Sequence, residues 1–198
     1  MNAPSLAAQK LKALVCRNKP FMSWLHAVRT LGLSSWCIGA GAVRNVVWDS
    51  LSGHAAPSML ADVDVAYFDA ADISAERDAQ LQRALQTLTP TVPWEVTNQA
   101  GVHKWFESVF GRAVAPLHSL EDAIATWPEF VTCIGVTLTD DDEIRVIAPH
   151  GSLTFDDLFS MTIRHNPVRA TVANYNERVA KKNYAARWPS VTILPARC

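Results

Sequence analysis

Asp62 and Asp64 stand two residues apart in Asp62-Val63-Asp64-Val65-Ala66-Tyr67-Phe68, and a strand places residues two apart on one face. Two carboxylates therefore project together from an otherwise apolar strand. Like charges this close oppose each other's ionisation, so the arrangement calls for a cation or a shared proton. A divalent metal is the natural compensator. Carboxylate oxygens suit Mg²⁺, or Mn²⁺ in its place, and Mg²⁺ is commonly held by one or two acidic residues together with substrate phosphates.

The segment just before this strand has the complementary chemistry. Trp36 to Ile38 reads as a short strand, followed by the glycine turn Gly39-Ala40-Gly41-Ala42 and a helix from about Ala42 to Leu51 with Val43, Val46 and Val47 on one face. Backbone N–H groups and the positive end of a helix dipole at such a turn can face a phosphate. Arg44, in the first turn, is placed to add a charge-assisted contact, and Asn45 to donate a hydrogen bond. By itself the glycine pair is equally compatible with a plain tight turn. A third carboxylate, Glu95, opens the short strand at Trp94 to Asn98, and a neighbouring strand of the same sheet would bring it beside the first two. Three acids suffice for two-metal phosphoryl transfer, with Asp62 and Asp64 holding the metals and Glu95 completing the nucleophile-side metal or acting as a base.

Helical spacing predicts helices over Ser5 to Val15, Pro20 to Leu31 and Ser74 to Leu88, with Asn18 and Ser74 as caps and Gly32 as a stop. Ser119 with Asp122 marks another helix start. The runs Phe130 to Leu138 and Glu143 to Ala148 form a hairpin around Thr139-Asp140-Asp141-Asp142, an acidic turn that lacks EF-hand ligand spacing and reads as solvated. The last third is helical or irregular. The expectation is one α+β domain over residues 1–198, a mixed sheet flanked by helices with helical additions at both ends.

Composition narrows the partners. With 198 residues, 49% hydrophobic content and a formal net charge of -1, the chain lacks the basic coat of an extensive DNA-binding surface, although a local patch could hold an end or a loop. Cys16, Cys37, Cys133 and Cys198 form no C-x-x-C pair and read as buried small hydrophobes in a reducing compartment. No window reaches membrane-spanning length, and the N-terminus lacks the apolar core of a secretory signal, so the expected setting is cytoplasmic with no membrane partner.

The glycine turn, the Asp62-Val63-Asp64 pair and Glu95 resemble the polymerase-beta-like nucleotidyltransferase superfamily. The likeness to one bacterial branch of nucleotidyltransferase-family proteins covers most of the chain. It is carried by Gly41-Ala42-Val43-Arg44-Asn45-Val46-Val47-Trp48-Asp49, the Asp62 to Asp69 strand, Trp94-Glu95-Val96-Thr97-Asn98-Gln99-Ala100, His103, Trp127-Pro128-Glu129, Ala148-Pro149-His150-Gly151 and the Tyr175 to Trp188 tail. The resemblance implies a minimal nucleotidyltransferase fold, a divalent metal and a nucleoside triphosphate donor. It places Gly39, Ala40, Gly41 and Arg44 near the triphosphate, and Asn98, Gln99 and His103 along the site. The acceptor, whether a small molecule, a protein or an RNA end, is not implied. Gly101 departs from the branch, which has a basic residue there, and Ser152-Leu153-Thr154 reads as an insertion.

Other readings compete at particular residues. His103 is either a substrate ligand or a hydrogen-bonded structural residue. Asp49 and Asp69 read as capping acids, Trp48, Trp94, Trp105, Trp127 and Trp188 as core, and Arg178, Lys181 and Lys182 as a solvated helix face. A dinucleotide-binding oxidoreductase is disfavoured because Arg44 occupies the third glycine of that fingerprint. A non-catalytic nucleotide-binding module on the same fold is the remaining alternative to an enzyme.

Overall fold

The computed structural model describes residues 5–196. The chain opens with α1 (Leu6–Arg17) and α2 (Lys19–Arg29). Ser5 caps the first by accepting from Ala8 N, and Asn18 caps the second by accepting from Phe21 N, so each satisfies an N–H that has no partner within its helix. β1 (Trp36–Gly39) then runs straight into α3 (Ala40–Leu51). The glycine turn is thus absorbed into the helix start, with Gly39 as N-cap.

β2 (Val63–Tyr67), α4 (Ala75–Leu88, capped by Ser74) and β3 (Trp94–Asn98) form a strand–helix–strand unit whose strands pair in parallel. Asp62 lies one residue before β2. Helix α5 (Val102–Phe110) follows, an element the sequence reading does not include, and then α6 (Leu120–Ala125), whose Ser119 cap accepts from Asp122 N. Within the Phe130 to Leu138 run only β4 (Gly135–Leu138) is strand; Phe130–Thr132 is a single 3₁₀ turn. β5 (Ile144–Ile147) pairs antiparallel with β4 and completes the hairpin. The C-terminal third holds α7 (Ser152–Phe159), β6 (Thr162–Ile163), α8 (Val172–Lys182), α9 (Tyr184–Arg187) and β7 (Thr192–Ile193), the last pairing with β6 in a small parallel sheet that sequence reading does not foresee.

The main sheet has the order β3-β2-β1-β4-β5, with β2 and β3 parallel and the other pairs antiparallel. This is the mixed α+β sheet expected. One face carries Ile38, Val63, Val65, Val96 and Val136 into the main core, where Val43, Val47 and Trp48 of α3 meet Leu11, Leu25, Tyr184 and Trp188. On the other face a smaller apolar cluster gathers Cys37, Ala66, Leu120, Ile124, Cys133 and Ile147. Cys37 and Cys133 are buried as expected, Cys16 is exposed, and Cys198 lies outside the described residues. Among the described residues no helix is long and apolar enough to cross a membrane.

The β1–α3 junction is tightly specified. A Cβ on Gly39 would come within 2.5 Å of Trp127 Cη2 and 3.0 Å of the Ile134 carbonyl. One on Gly41 would meet nothing closer than Arg44 Nη2 at 3.6 Å. Overpacking of a filled site costs roughly 1–3 kcal/mol, whereas replacing a helical glycine by alanine gains roughly 0.5–1 kcal/mol. Gly39→Ala is therefore expected to lower the melting temperature and Gly41→Ala to hold or raise it, as thermal unfolding followed by circular dichroism would show. Equal losses in both would mean that the two glycines serve backbone freedom and not the Trp127 contact.

Candidate active site

The parallel pairing of β2 with β3 sets Asp64 directly opposite Glu95, and Ala66 opposite Thr97. Because side chains alternate along a strand, all four lie on the face that bears the smaller apolar cluster, with Ala66 at the border between that cluster and the open part. Asp62 joins them from the residue before β2. These three acids form one wall of a cavity of about 250 Å³. Crowding shows in Asp64, whose carboxyl is pushed up to about 7 by burial, with Asp62 and Glu95 adding to the effect.

The opposite wall is cationic. Ala40 and Gly41 line it from the start of α3, Arg44 follows one turn on, and Arg178 and Lys182 reach in from α8. The N-terminus of α3 has no side-chain cap and no acid in its first turn, so its N–H groups and dipole are left for a ligand anion. Ala40 has φ +50°, a left-handed conformation that costs a non-glycine residue about 1 kcal/mol or more. Its N–H donates to Ile134 O at 3.1 Å, which holds the strained entry to the helix in place.

Arg44 is only 2% exposed. Its guanidinium lies 5.0 Å from the ring centre of Tyr184, 5.4 Å from that of Trp48 and 5.5 Å from that of Trp188. Nη2 donates to Asn45 Oδ1 at 2.8 Å, while Nε and Nη1 are buried without a partner. Burial lowers its proton affinity, against the pull of Tyr184 and Glu129. Aromatic faces satisfy the charge in part but supply no acceptor for the two N–H groups. A phosphate oxygen would.

Arg178 is anchored from behind. Its Nε donates to Glu129 Oε1 at 2.6 Å, and Glu129, fully buried, also accepts from Thr132 Oγ1 at 3.1 Å and from the Tyr184 hydroxyl at 3.5 Å. Lys182, one turn further along α8, has its proton affinity lowered by burial and by Arg178, with Asp62 opposing. Lys181 is exposed and does not line the cavity. Helical spacing had put Arg178 and Lys182 on one face, but the solvated reading does not hold for them. Tyr175, buried on the same helix, is the signal that this face turns inward.

The other expected site residues divide, and Gly39 is not among those that line the cavity. Gln99 lines the cavity, as do Thr97, Trp127 and Pro128. Asn98 does not: its Nδ2 donates to Asp69 O and Asp72 O, and its Oδ1 accepts from Asp69 N and Ala100 N, which commits the amide to the loop that follows β2. His103 is on α5, outside the lining residues, with a buried Nδ1 that has no partner. Asp49 accepts from Ser58 N, Ser58 Oγ and Trp188 Nε1, which makes it a structural hub between distant segments where the sequence suggests a capping acid.

Asp62, Asp64 and Glu95 offer only oxygen donors, which fits a hard divalent cation. Among the described residues no group of three His, Cys, Asp or Glu side chains is gathered closely enough to hold a metal unaided.

A family profile described as Nucleotidyltransferase matches residues 26–193. A search of the curated proteins gives no match. Among solved structures, an NMR structure described as revealing a CCA-adding enzyme head domain superposes with a TM-score of 0.79 at 27% identity, covering 94% of this chain and 95% of that one. A CCA-adding enzyme in complex with CTP gives 0.52 at 10% identity, covering 94% of this chain and 43% of that one. A tRNA-processing enzyme gives 0.50 at 14%, covering 98% and 45%. The chain spans less than half the length of these two, and at such identities they speak to the fold alone.

Proposed function

This chain belongs to the nucleotidyltransferase family, and on that premise we propose that it transfers a nucleoside monophosphate from a nucleoside triphosphate to an acceptor, releasing pyrophosphate. The observation that carries this reading is the cavity with three carboxylates on one wall and Arg44, Arg178, Lys182 and an uncapped helix start on the other. The cationic wall seats the triphosphate. Arg44, which lines the cavity, brings its guanidinium charge to the phosphates, and Arg178 and Lys182 neutralise the charge that builds on the departing pyrophosphate.

Asp62 and Asp64 would hold the divalent cation, Mg²⁺ or Mn²⁺, with Glu95 as a third ligand or as base. When bound, that cation supplies Lewis-acid stabilisation of the phosphoryl oxygens. The acceptor's nucleophilic oxygen or nitrogen forms a bond to the α-phosphorus while the bond from that phosphorus to the bridging oxygen breaks. Glu95, exposed at the cavity edge, is in position to take the acceptor's proton.

The test incubates the protein with Mg²⁺ or Mn²⁺ and each α-labelled triphosphate, with cell extract as acceptor source. Label transfer with pyrophosphate release is expected. Arg44→Met is expected to raise the KM for triphosphate by about tenfold or more, the worth of one or two charge-assisted hydrogen bonds. Tight nucleotide binding without transfer under any of these conditions would favour the non-catalytic module.

A further inference from the structure

Outside the catalytic cavity two arginines share one aromatic ring. The guanidinium carbons of Arg112 and Arg169 lie 5.7 and 5.6 Å from the centre of Phe106. Arg112 Nη2 donates to Arg169 O, and Arg169 Nη2 to Ala115 O at 2.6 Å. Arg112 Nε and Arg169 Nη1 are buried without partners. Among the described residues neither arginine has an ion pair. Burial and the neighbouring Arg112 lower the proton affinity of Arg169. Two cations held together without an acid call for an external anion, just as the aspartates call for a cation.

Aromatic rings extend the patch. Phe110 stacks on Phe106 at 4.5 Å and Trp105 lies 6.3 Å from it, yet Trp105 and Phe110 remain 42% and 41% exposed. Planar apolar faces left in water beside a guanidinium pair match a ligand that repeats a flat ring and an anion, as a polynucleotide strand does. Both segments that carry the patch leave the rim of the catalytic cavity. Gln99 lines the cavity and leads into α5, so that Phe106, seven residues on, is roughly 10 Å along the chain. On the other side, Asn166 holds Trp127 O and Pro128 O of the cavity wall at 2.8 and 2.9 Å, and Arg169 follows three residues later.

We propose that Arg112, Arg169, Trp105 and Phe110 form a seat for a single-stranded polynucleotide, with phosphate on the arginines and bases against the rings. The seat gives the transfer reaction an acceptor strand, and in that purpose alone it rests on the nucleotidyl-transfer reading. The near-neutral whole-chain charge fits a grip limited to a few phosphates at a strand end.

The test is fluorescence anisotropy of a labelled oligoadenylate dodecamer on the full chain, without triphosphate or metal. Binding is expected to weaken about tenfold or more in Arg112→Gln/Arg169→Gln and about tenfold in Trp105→Ala. The slope of log K against log salt should fall by about 1.4 in the double variant, at roughly 0.7 per single-strand phosphate contact. Asp64→Asn should bind the strand as the parent does, so a failed transfer reaction and a failed strand seat are told apart. The proposal is overturned if neither variant changes binding although both fold by circular dichroism. It is also overturned if tripolyphosphate displaces the strand and Trp105→Ala has no effect, or if polyglutamate competes better than the strand, which would mark a protein-docking face.

Discussion

Replacing Asp64 with asparagine is expected to abolish nucleotidyl transfer, by about three orders of magnitude or more, and at the same time to raise the melting temperature above about pH 7. The first effect follows from removing a charged oxygen ligand from the carboxylate wall, where the electrostatic contribution to the transition state is concentrated. The second follows from linkage. The folded protein holds the Asp64 proton up to about pH 7, because burial and the charges of Asp62 and Glu95 oppose ionisation, whereas the ordinary aspartate value near 3.8 applies to the unfolded chain.

Between those values the folded state binds more protons than the unfolded one, so this residue makes stability fall as pH rises from about 4 to about 7. Below pH 4 both states are protonated and the penalty vanishes. Three pK units correspond to about 4 kcal/mol. Asp64 keeps some contact with solvent, which reduces the effect to about 1–2 kcal/mol. Asp64→Asn should therefore gain about 3–6 °C at pH 8 and almost nothing at pH 4. A gain of equal size at both pH values would show that the asparagine packs better, not that the carboxylate is destabilised by its neighbours.

The convergence of Asp62 and Asp64 was legible from spacing, although β2 begins at Val63, so the strand period fixes the direction of Asp64 while Asp62 joins it from the residue before. The caps at Asn18, Ser74 and Ser119 were equally legible, since each is a local contact over three residues. The hairpin was too, although its first strand is shorter than the apolar run because Phe130 to Thr132 turns to carry Glu129 under α8. What remained hidden were long-range choices. Nothing local says that Arg178 and Lys182 meet the aspartates across a cavity, 114 and 118 positions beyond Asp64. Asn98 has the side chain of a ligand-binding residue but commits its amide to the loop after β2 and to Ala100 N, a commitment set largely by where residues 69 and 72 fall in space. Helix α5 was not foreseen although Val102, Trp105, Phe106, Val109 and Phe110 stand at the i, i+3, i+4, i+7 and i+8 spacing of an apolar stripe, a local signal that was there to be read.

Arg178→Met is expected to cost about 3–5 kcal/mol of stability, because it strands the carboxylate of Glu129, fully buried beneath α8. For a chain of this length that is a drop of about 10 °C or more in melting temperature. Glu129→Gln removes the charge but keeps an acceptor for Thr132 and an uncharged partner for Tyr184, so its cost should be smaller. In the double variant Glu129→Gln/Arg178→Met no buried charge is left unpaired, and most of the loss should return. Nucleotide binding should behave differently. Arg178 reaches the cavity only because Glu129 holds its Nε from behind, so both single variants and the double variant should weaken triphosphate binding, measured by calorimetry, by about tenfold. Stability recovered without recovered binding would separate the two roles of Arg178. Recovery of both would mean that the ion pair shapes the fold and that Lys182 and Arg44 alone seat the phosphates.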